Sequence, residues 1–181
     1  IVWTWYAGME GGNALADVLF GDVNPSGKLP ETIPVKLEDS PAHKYDEFGK
    51  KDTVTYREGL YVGYRYFDTY GVDPLFCFGH GLSYTNFEYK NLDVSVLEKA
   101  SGANNDSDDL QVEVKVTIKN IGNVDGAEVV QIYVADKEAS LERPVHELKG
   151  FTKVFLKAGE EKEVLVTLGK NAFGFYDPEN R

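Results

Sequence analysis

The sequence predicts an α/β segment followed by an all-β sandwich, within a chain of 181 residues. The first part runs from an apolar aromatic stretch through a glycine-rich turn to a helix and an extended, proline-punctuated stretch, which is the order of an open α/β sheet. The second part repeats short alternating strands separated by turn residues, which is typical of a sandwich with one face in water. A chain of this length holds one large or two small domains.

Charge and hydropathy exclude several classes of partner. The formal net charge is −11. Nucleic acids and anionic membranes are bound mainly through lysine and arginine side chains. No apolar run approaches the ~18 residues of a membrane span, and the apolar start IVWTWYAG lacks the basic region of a signal peptide. We therefore expect no nucleic-acid and no membrane partner. Because the chain opens inside an apolar aromatic run, we also expect it to be cut from a longer one.

The cysteine content does not indicate the cellular compartment of the protein. Cys77 is the single cysteine, so it forms no intramolecular disulfide and no zinc knuckle. It lies among apolar residues in PLFCFGHG, which predicts a buried structural thiol, with a catalytic thiol as the alternative. Secreted, periplasmic and cytoplasmic locations all remain compatible with this composition.

The first elements follow from local sequence signals. Residues 1–6, IVWTWY, are β-branched and aromatic in a continuous run, which predicts a buried strand. Asn13 is the expected N-cap of a helix over residues 14–20, whose apolar side chains recur at helical spacing. Gly21 is placed to adopt the left-handed conformation just past the helix end.

A turn and an extended stretch are predicted next. Residues 24–27, Asn-Pro-Ser-Gly, combine a proline that fixes φ with a glycine that accepts positive φ, so a turn is expected there. The two prolines in LPETIPV push residues 29–35 into an extended conformation. Residues 36–58 are polar and irregular, with Tyr45, Phe48 and Tyr56 as expected anchors.

Aromatic residues are concentrated between the two parts of the chain. GLYVGYRYFDTYG, residues 59–71, is predicted to be a dense aromatic strand, and residues 74–89 a glycine- and aromatic-rich connector. Such a segment is more often packing between domains than a platform for a ligand. We therefore expect this region to join the two parts.

The sandwich is predicted from strict alternation. Residues 112, 114, 116 and 118 are apolar and their neighbours polar, which indicates a half-buried strand. Further strands are expected at 91–99, 127–136, 147–156 and 163–168, with a polar loop at 101–109, and without a cysteine pair the sandwich is fibronectin-like. Since seven strands need at least one more after residue 181, the end also looks cut. The aromatic residues expected in the core are Tyr133, Phe151, Phe155, Phe173 and Phe175.

Motifs with recognisable chemistry are scarce. GMEGGN at 8–13 fits neither glycine-rich phosphate loop and has no lysine or arginine beside it, so tight packing of a turn is expected. His43, His80 and His146 lack metal-ligand spacing, and Ser26 and Ser83 lie outside any GxSxG motif. We therefore expect no metal ion and no cofactor.

Glu58 is the one candidate for contact with a substrate. It lies in TYREGLYVGYRYFD and is the carboxylate most surrounded by aromatic residues in the sequence. Asp68 ends the same stretch, and Arg57 and Arg65 could neutralise either carboxylate. Salt-bridged support at a domain junction is the alternative interpretation of this cluster.

The blocks together resemble the C-terminal part of a family 3 glycoside hydrolase of the β-glucosidase type. They occur in the family's order and cover nearly the whole chain: WYAGMEGGNALADVLFGDVNPSGKLPETIP at 5–34, YREGLYVGYRYFD at 56–68, PLFCFGHGLSYTNFEY at 74–89, GAEVVQIYV at 126–134 and RPVHELKGFTKV at 143–154. The combination is specific, although no single block is. One departure is Cys77, where the family more often has proline.

The resemblance implies a domain plan. Family members carry a (β/α) barrel, then an α/β sandwich domain, then in many cases a fibronectin type III-like domain. Residues 1–68 would be the C-terminal part of the α/β sandwich domain, 69–89 the connector, and 90–181 the fibronectin type III-like domain without its last strand or strands. Residues 1–68 are expected to need the absent part of their sheet.

The resemblance also implies an activity. The parent protein would be a retaining β-glucosidase acting on β-glucosides or oligosaccharides, with xylosidase and related activities on the same framework. The family's nucleophile Asp and acid/base Glu lie upstream of these blocks, so no catalytic residue is carried over, and the chain alone is expected to be inactive. It would pack against the missing barrel and α/β domains. The alternative is a non-catalytic carbohydrate-binding or adhesion-type β-sandwich module, which a flat row of exposed aromatic residues would favour.

Overall fold

The computed structural model describes residues 1–46, 48–49, 52–97 and 110–177. Three short α-helices precede five β-strands. The helices are α1 (Gly11–Phe20), α2 (Pro41–Lys44) and α3 (Tyr64–Tyr70), and the strands are β1 (Phe87–Leu97), β2 (Gln111–Asn120), β3 (Gly126–Val134), β4 (Glu147–Leu156) and β5 (Glu161–Gly169). The predicted polar loop at 101–109 lies outside the described residues.

The strands form two antiparallel sheets that face each other. One has the order β1-β2-β5 and the other pairs β3 with β4. Val112, Val114, Val116 and Ile118 of β2 are all buried, which confirms the predicted alternation. Val116 and Ile118 meet Val130, Leu156 and Val164 in one core cluster between the sheets, and Val112 and Val114 meet Leu168 in a second. Alternation places every second side chain on one face, so the sequence alone defines this face of β2.

The predicted aromatic core is largely wrong. Phe151 is 68% exposed and Phe155 is 55% exposed, and Phe175 is also exposed, whereas Tyr133 and Phe173 are half-buried. Leu156 is fully buried and Val154 packs against the core, so the inner face of β4 belongs to the even-numbered residues. Since side chains alternate along a strand, Phe151 and Phe155 point outward.

Gly150 marks a close approach of the two sheets. A Cβ atom added there would lie 2.9 Å from Leu168 Cδ2 and 2.9 Å from Val166 Cγ1. We expect Gly150→Val to lower the free energy of unfolding by about 1–3 kcal/mol, because the core has no room for the added methyl groups. Hydrogen exchange of the β2 amides measures the change, and Gly169→Val, where nothing lies within 4 Å of the added Cβ, is the matched control. Equal effects of the two substitutions would contradict the prediction.

A buried asparagine ties β2 to its neighbours. Asn120 is 0% exposed. Its Nδ2 donates to the Val124 carbonyl at 2.8 Å and the Leu156 carbonyl at 3.3 Å, and its Oδ1 accepts from the Thr85 hydroxyl and from Gly122 N–H at 3.1 Å. All of its hydrogen-bonding groups therefore find protein partners, as burial requires.

The N-terminal part departs from the predictions in several places. Residues 1–6 are exposed and form no strand, because no described residue pairs with their backbone. Helix α1 is present, but it begins at Gly11 with Glu10 as its N-cap residue, and the Asn13 side chain donates to Glu10 Oε2 at 2.6 Å instead. Gly21 has a φ of 88°, so its left-handed conformation is confirmed.

The predicted turn at 24–27 and the predicted anchors are also wrong. Gly27 has no positive φ and residues 24–27 form no turn, and the Asn24 side chain makes hydrogen bonds to distant residues. The extended stretch after it pairs with the connector, where the Leu29 N–H donates to the His80 carbonyl at 2.8 Å. Tyr45, Phe48 and Tyr56 are exposed in this structure, because no described element covers them.

The aromatic stretch at 59–71 contains a helix, α3 at Tyr64–Tyr70, and not the predicted strand. Gly63 has a φ of 56° and precedes α3, and Gly71 has a φ of 62° and ends it, with its N–H donating to the Phe67 carbonyl. Tyr66 and Tyr70, four residues apart, bring their ring centres within 5.1 Å on one face. Aromatic residues favour strands in general, so a short apolar run does not distinguish strand from helix.

Candidate functional site

Helix α3 docks on the start of β4 through what we call the α3 junction, formed by α3, Tyr133 and residues 145–148. The Leu148 N–H donates to Tyr64 Oη at 2.8 Å, and the Val145 N–H donates to Thr69 Oγ1 at 3.1 Å. His146 Nε2 lies 2.8 Å from Asp68 Oδ2. These contacts join residues more than 70 positions apart, so they fix the two parts of the chain to each other.

Aromatic rings fill the centre of the α3 junction. The Tyr64 ring lies 4.9 Å from Phe78 and 5.7 Å from Tyr133, and Tyr133 lies 5.1 Å from His146. Burial, followed by the nearby Tyr64 phenol and the Asp68 carboxylate, raises the pKa of Tyr133 to about 12. Tyr133 therefore keeps its proton at neutral pH, and its hydroxyl donates to Gln131 Oε1 at 2.7 Å.

A charged cluster lies beside these rings. Glu147 contacts Arg143 at 3.0 Å, Arg65 at 3.3 Å and Lys149 at 3.4 Å. Burial raises the pKa of Glu147, but hydrogen bonds and charge from Arg143, Lys149 and Arg65 outweigh it, so the net shift is downward. An ionised carboxylate held by three cations cannot deliver a proton as a general acid. The cluster links α3, through Arg65, to the start of β4.

A second set of contacts joins the loop after α1 to the sandwich and to the residues just before it. Asn24 Nδ2 donates to the Asp125 carbonyl at 2.9 Å, and its Oδ1 accepts from the Tyr84 N–H at 2.8 Å. Lys28 Nζ lies 3.1 Å from Glu128 Oε2 and donates to the Gly81 carbonyl at 2.9 Å. The residues around Asn24 thus act as a clamp between distant segments.

The structure separates the residues that the sequence grouped around Glu58. Glu58 is half-buried and lies in the turn after Arg57, and the neighbouring Tyr56 is exposed. Arg65 pairs with Glu147 and Asp68 with His146. Both contacts lie at the α3 junction, and the alternative interpretation, salt-bridged support at a domain junction, stays a prediction.

The remaining candidates for chemistry also lie apart. His43 contacts Phe48, His80 contacts Phe76 and His146 contacts Asp68. Among the described residues, no group of three His, Cys, Asp or Glu side chains is arranged to hold a metal ion. Cys77 is exposed, so its predicted burial is wrong. Its extended neighbours Phe76 and Phe78 turn toward His80 and Tyr64, which leaves Cys77 on the outer side.

Large apolar side chains cover much of the surface of the N-terminal part. Proteins rarely expose so many without a partner, and such surfaces mark interaction sites. The exposed apolar residues of the first 75 positions include Ile1, Val2, Trp3, Trp5, Tyr6, Met9, Leu19, Phe20, Val35, Leu37, Phe48, Val54, Tyr56, Leu60, Val62 and Leu75.

Comparison with known proteins assigns the chain. The family model described as the glycosyl hydrolase family 3 C-terminal domain matches residues 1–64, and that described as a fibronectin type III-like domain matches residues 128–181. Thermostable beta-glucosidase B of Acetivibrio thermocellus is 54% identical over 176 residues, which are 97% of this chain and 22% of that protein. The chain belongs to glycosyl hydrolase family 3.

Two further comparisons cover nearly the whole of this chain. The exo-alpha-(1->6)-L-arabinopyranosidase of Bifidobacterium breve is 47% identical over 97% of this chain and 22% of its own length. The crystal structure of the Bifidobacterium adolescentis GH3 beta-glucosidase superposes with a TM-score of 0.84 at 45% identity, over 96% of this chain and 24% of that one. The chain therefore spans roughly a quarter or less of these relatives, and it matches their C-terminal region.

The family and the fold class predicted from the sequence are confirmed. The boundaries at 68 and 89 remain predictions. In the described part of this family 3 chain, no helix is both long and apolar enough to cross a bilayer. Sequence reasoning missed the α3 junction and the clamp at Asn24, because their partners are 59 to 101 residues apart and no local signal connects them.

Proposed function

We propose that this chain is the structural C-terminal part of a retaining β-glucosidase-type glycoside hydrolase. The observation that carries the proposal is the sequence similarity to beta-glucosidase B, which is 54% identical over 97% of this chain. The polar groups of the α3 junction support a structural role, because Glu147 is held in ion pairs and Asp68 Oδ2 lies 2.8 Å from His146 Nε2 within the chain.

The proposed mechanism uses carboxylates supplied outside this chain. In a retaining hydrolase one carboxylate attacks the anomeric carbon while a second protonates the leaving oxygen and later activates water. The resemblance assigns these roles to an Asp and a Glu upstream of the matched blocks. The residues present here hold the sandwich and the N-terminal part in a fixed orientation, which is the support that a positioned active site requires.

The exposed apolar surface of residues 1–75 is proposed to pack against the barrel and α/β domains of the larger protein. Trp3, Tyr6 and Phe20 are large apolar side chains, and more than half of the surface of each is exposed. Exposed apolar patches of this kind mark interaction sites. The unpaired stretch at 1–6 has strand composition and would find its partner strand there. This packing would bury side chains that are exposed in the chain alone.

The test is to express the longest open reading frame that contains this chain and to assay it with p-nitrophenyl β-D-glucopyranoside and p-nitrophenyl α-L-arabinopyranoside. We expect hydrolysis of the glucoside, with the arabinopyranoside as the slower substrate, and no hydrolysis by the chain of 181 residues alone. Preference for the arabinopyranoside would change the substrate class. An extended protein inactive on both substrates would overturn the proposal.

Glu58 is proposed to contact the substrate at the edge of the site, and the same assay tests it. In the longer protein we expect Glu58→Gln to raise KM severalfold with kcat unchanged, since such a contact contributes equally to ground state and transition state. Glu38→Gln, a substitution of an exposed carboxylate, is the matched control. An unchanged KM would remove Glu58 from the site.

The second candidate function is a carbohydrate-binding module. Phe151 and Phe155 are exposed on the outer face of β4, four residues apart, so about 13 Å separates them along the strand. Retention of this chain on an insoluble β-glucan, lost in Phe151→Ala, would favour the module over the structural role.

A further inference from the structure

The backbone around Glu58 forms a closed turn. The Tyr61 N–H donates to the Glu58 carbonyl at 2.9 Å, and we call residues 58–61 the Glu58 turn. Gly59 and Leu60 within it are exposed, and Glu58 itself is only half-buried. The backbone bond fixes the shape of the turn, and burial does little to fix its position.

The Tyr61 side chain connects this turn to the rest of the molecule. Its hydroxyl donates to Glu142 Oε1 at 3.2 Å, in the loop between β3 and β4, and its ring centre lies 5.2 Å from that of Tyr70 in α3. Burial, followed by the hydrogen bond and the charge of Glu142, raises the pKa of Tyr61 above its ordinary value. Tyr61 therefore keeps its proton at neutral pH and acts as the donor.

The loop that carries Glu142 is itself held in place. The side chain of the next residue, Arg143, is 11% exposed and lies 3.0 Å from Glu147 and 3.3 Å from Asp136. Its guanidinium lies 4.6 Å from the centre of the Phe175 ring. The backbone at Glu142 is therefore anchored, and the exposed carboxylate is presented to Tyr61 from a fixed point.

This contact joins the two matched parts of the chain. Glu58 and Tyr61 lie in the region of the glycosyl hydrolase family 3 C-terminal domain, and Glu142 lies in that of the fibronectin type III-like domain. Tyr61 and Glu142 are 81 positions apart in the sequence. The sandwich therefore reaches the Glu58 turn directly, through one tyrosine hydroxyl.

We propose that Tyr61 is a positioning residue, through which the fibronectin type III-like domain places the Glu58 carboxylate and so sets the affinity of the larger enzyme for its substrate. This inference rests on the proposed function and on the proposed substrate contact of Glu58. A binding group must be held within about 0.5 Å of its productive position by the residues that support it. Tyr61 supplies that support from outside the turn.

The test compares Tyr61→Phe with the unchanged longer family 3 protein. We expect KM for p-nitrophenyl β-D-glucopyranoside to rise severalfold with kcat unchanged, because Tyr61 acts on a binding contact and not on the chemical step. Hydrogen exchange of the Tyr61 amide should quicken about three- to tenfold, which corresponds to one hydrogen bond of ordinary strength. Tyr56→Phe is the matched control, since Tyr56 is exposed in the same segment and its hydroxyl has no hydrogen-bond partner among the described residues.

Further variants test whether Tyr61 acts through its two partners. Glu142→Ala should reproduce the rise in KM, whereas Glu142→Gln, which keeps a side-chain oxygen as acceptor, should retain most of the original affinity. In a Glu58→Gln background Tyr61→Phe should cause no further rise in KM, because the contact that it positions is already lost.

The outcomes separate this role from the proposed function. A longer protein that hydrolyses neither test substrate would overturn the proposed function and this role with it. An active enzyme whose KM is unchanged in Tyr61→Phe would overturn this role alone. The same conclusion would follow from equal exchange rates in Tyr61→Phe and Tyr56→Phe, or from an equal rise in KM with and without the Glu58 carboxylate.

Discussion

Asn120→Ala is expected to lower the free energy of unfolding of the sandwich by about 3–5 kcal/mol. The substitution removes four hydrogen bonds at a fully buried position. It leaves the Val124 and Leu156 carbonyls, the Thr85 hydroxyl and the Gly122 N–H without this partner. Each buried polar group left unpaired costs about 1–3 kcal/mol, although water entering the site offsets part of the sum.

Hydrogen exchange of the β2 and β5 amides measures the loss of unfolding free energy in Asn120→Ala. These two strands pair directly, so their amides exchange when the sandwich opens. Asn123→Ala is the matched control, since Asn123 is exposed in the same turn and its loss should cost less than about 0.5 kcal/mol. An Asn120→Ala chain as stable as the control would show that the four bonds contribute no net stability.

Glu147→Gln is expected to lower the free energy of unfolding by about 1–3 kcal/mol. Removal of the charge leaves Arg143, Arg65 and Lys149 close together without the carboxylate that now holds them. Breaking a buried ion pair costs more than breaking an exposed one, and the Glu147 side chain is 18% exposed, so an intermediate cost follows. The helix α3 should loosen first, since Arg65 connects it to β4.

The pH dependence gives a second measure of Glu147. Its pKa is lowered from 4.5 in the folded chain, so its ionised form contributes stability above pH 4.5 that is lost as the pH falls through the lowered folded pKa. Glu147→Gln should remove this acid-side loss. Glu138→Gln, at an exposed position nearby, should retain it. Parallel acid profiles for all three chains would contradict the prediction.

Local sequence patterns predicted the sandwich well, because each strand is marked by alternating apolar residues or by the turn residues that flank it. The alternation in β2 identified its buried face, and turn residues separated the remaining strands. The same reasoning placed Phe151 and Phe155 in the core, although β4 buries the opposite set of residues. Hydrophobicity alone does not fix which face of a strand is inside when both faces carry apolar residues.

The N-terminal part was predicted less well because its elements depend on partners elsewhere. The strand expected at 1–6 needs a neighbouring strand, and none of the described residues provides one. The aromatic run at 59–71 contains a helix because Gly63 and Gly71 bound it and Tyr66 and Phe67 are buried on its inner side. Strand propensity reflects packing surroundings, so it fails where those surroundings differ.

The sequence by itself determined the family, the succession of strands in the sandwich and the buried face of β2, because these rest on block order and on the periodicity of neighbouring residues. Only the tertiary structure decided that Asp68 meets His146 and that Arg65 meets Glu147. Those pairings join residues 78 and 82 positions apart. The chain's path through space brings them together, and no local interaction encodes it.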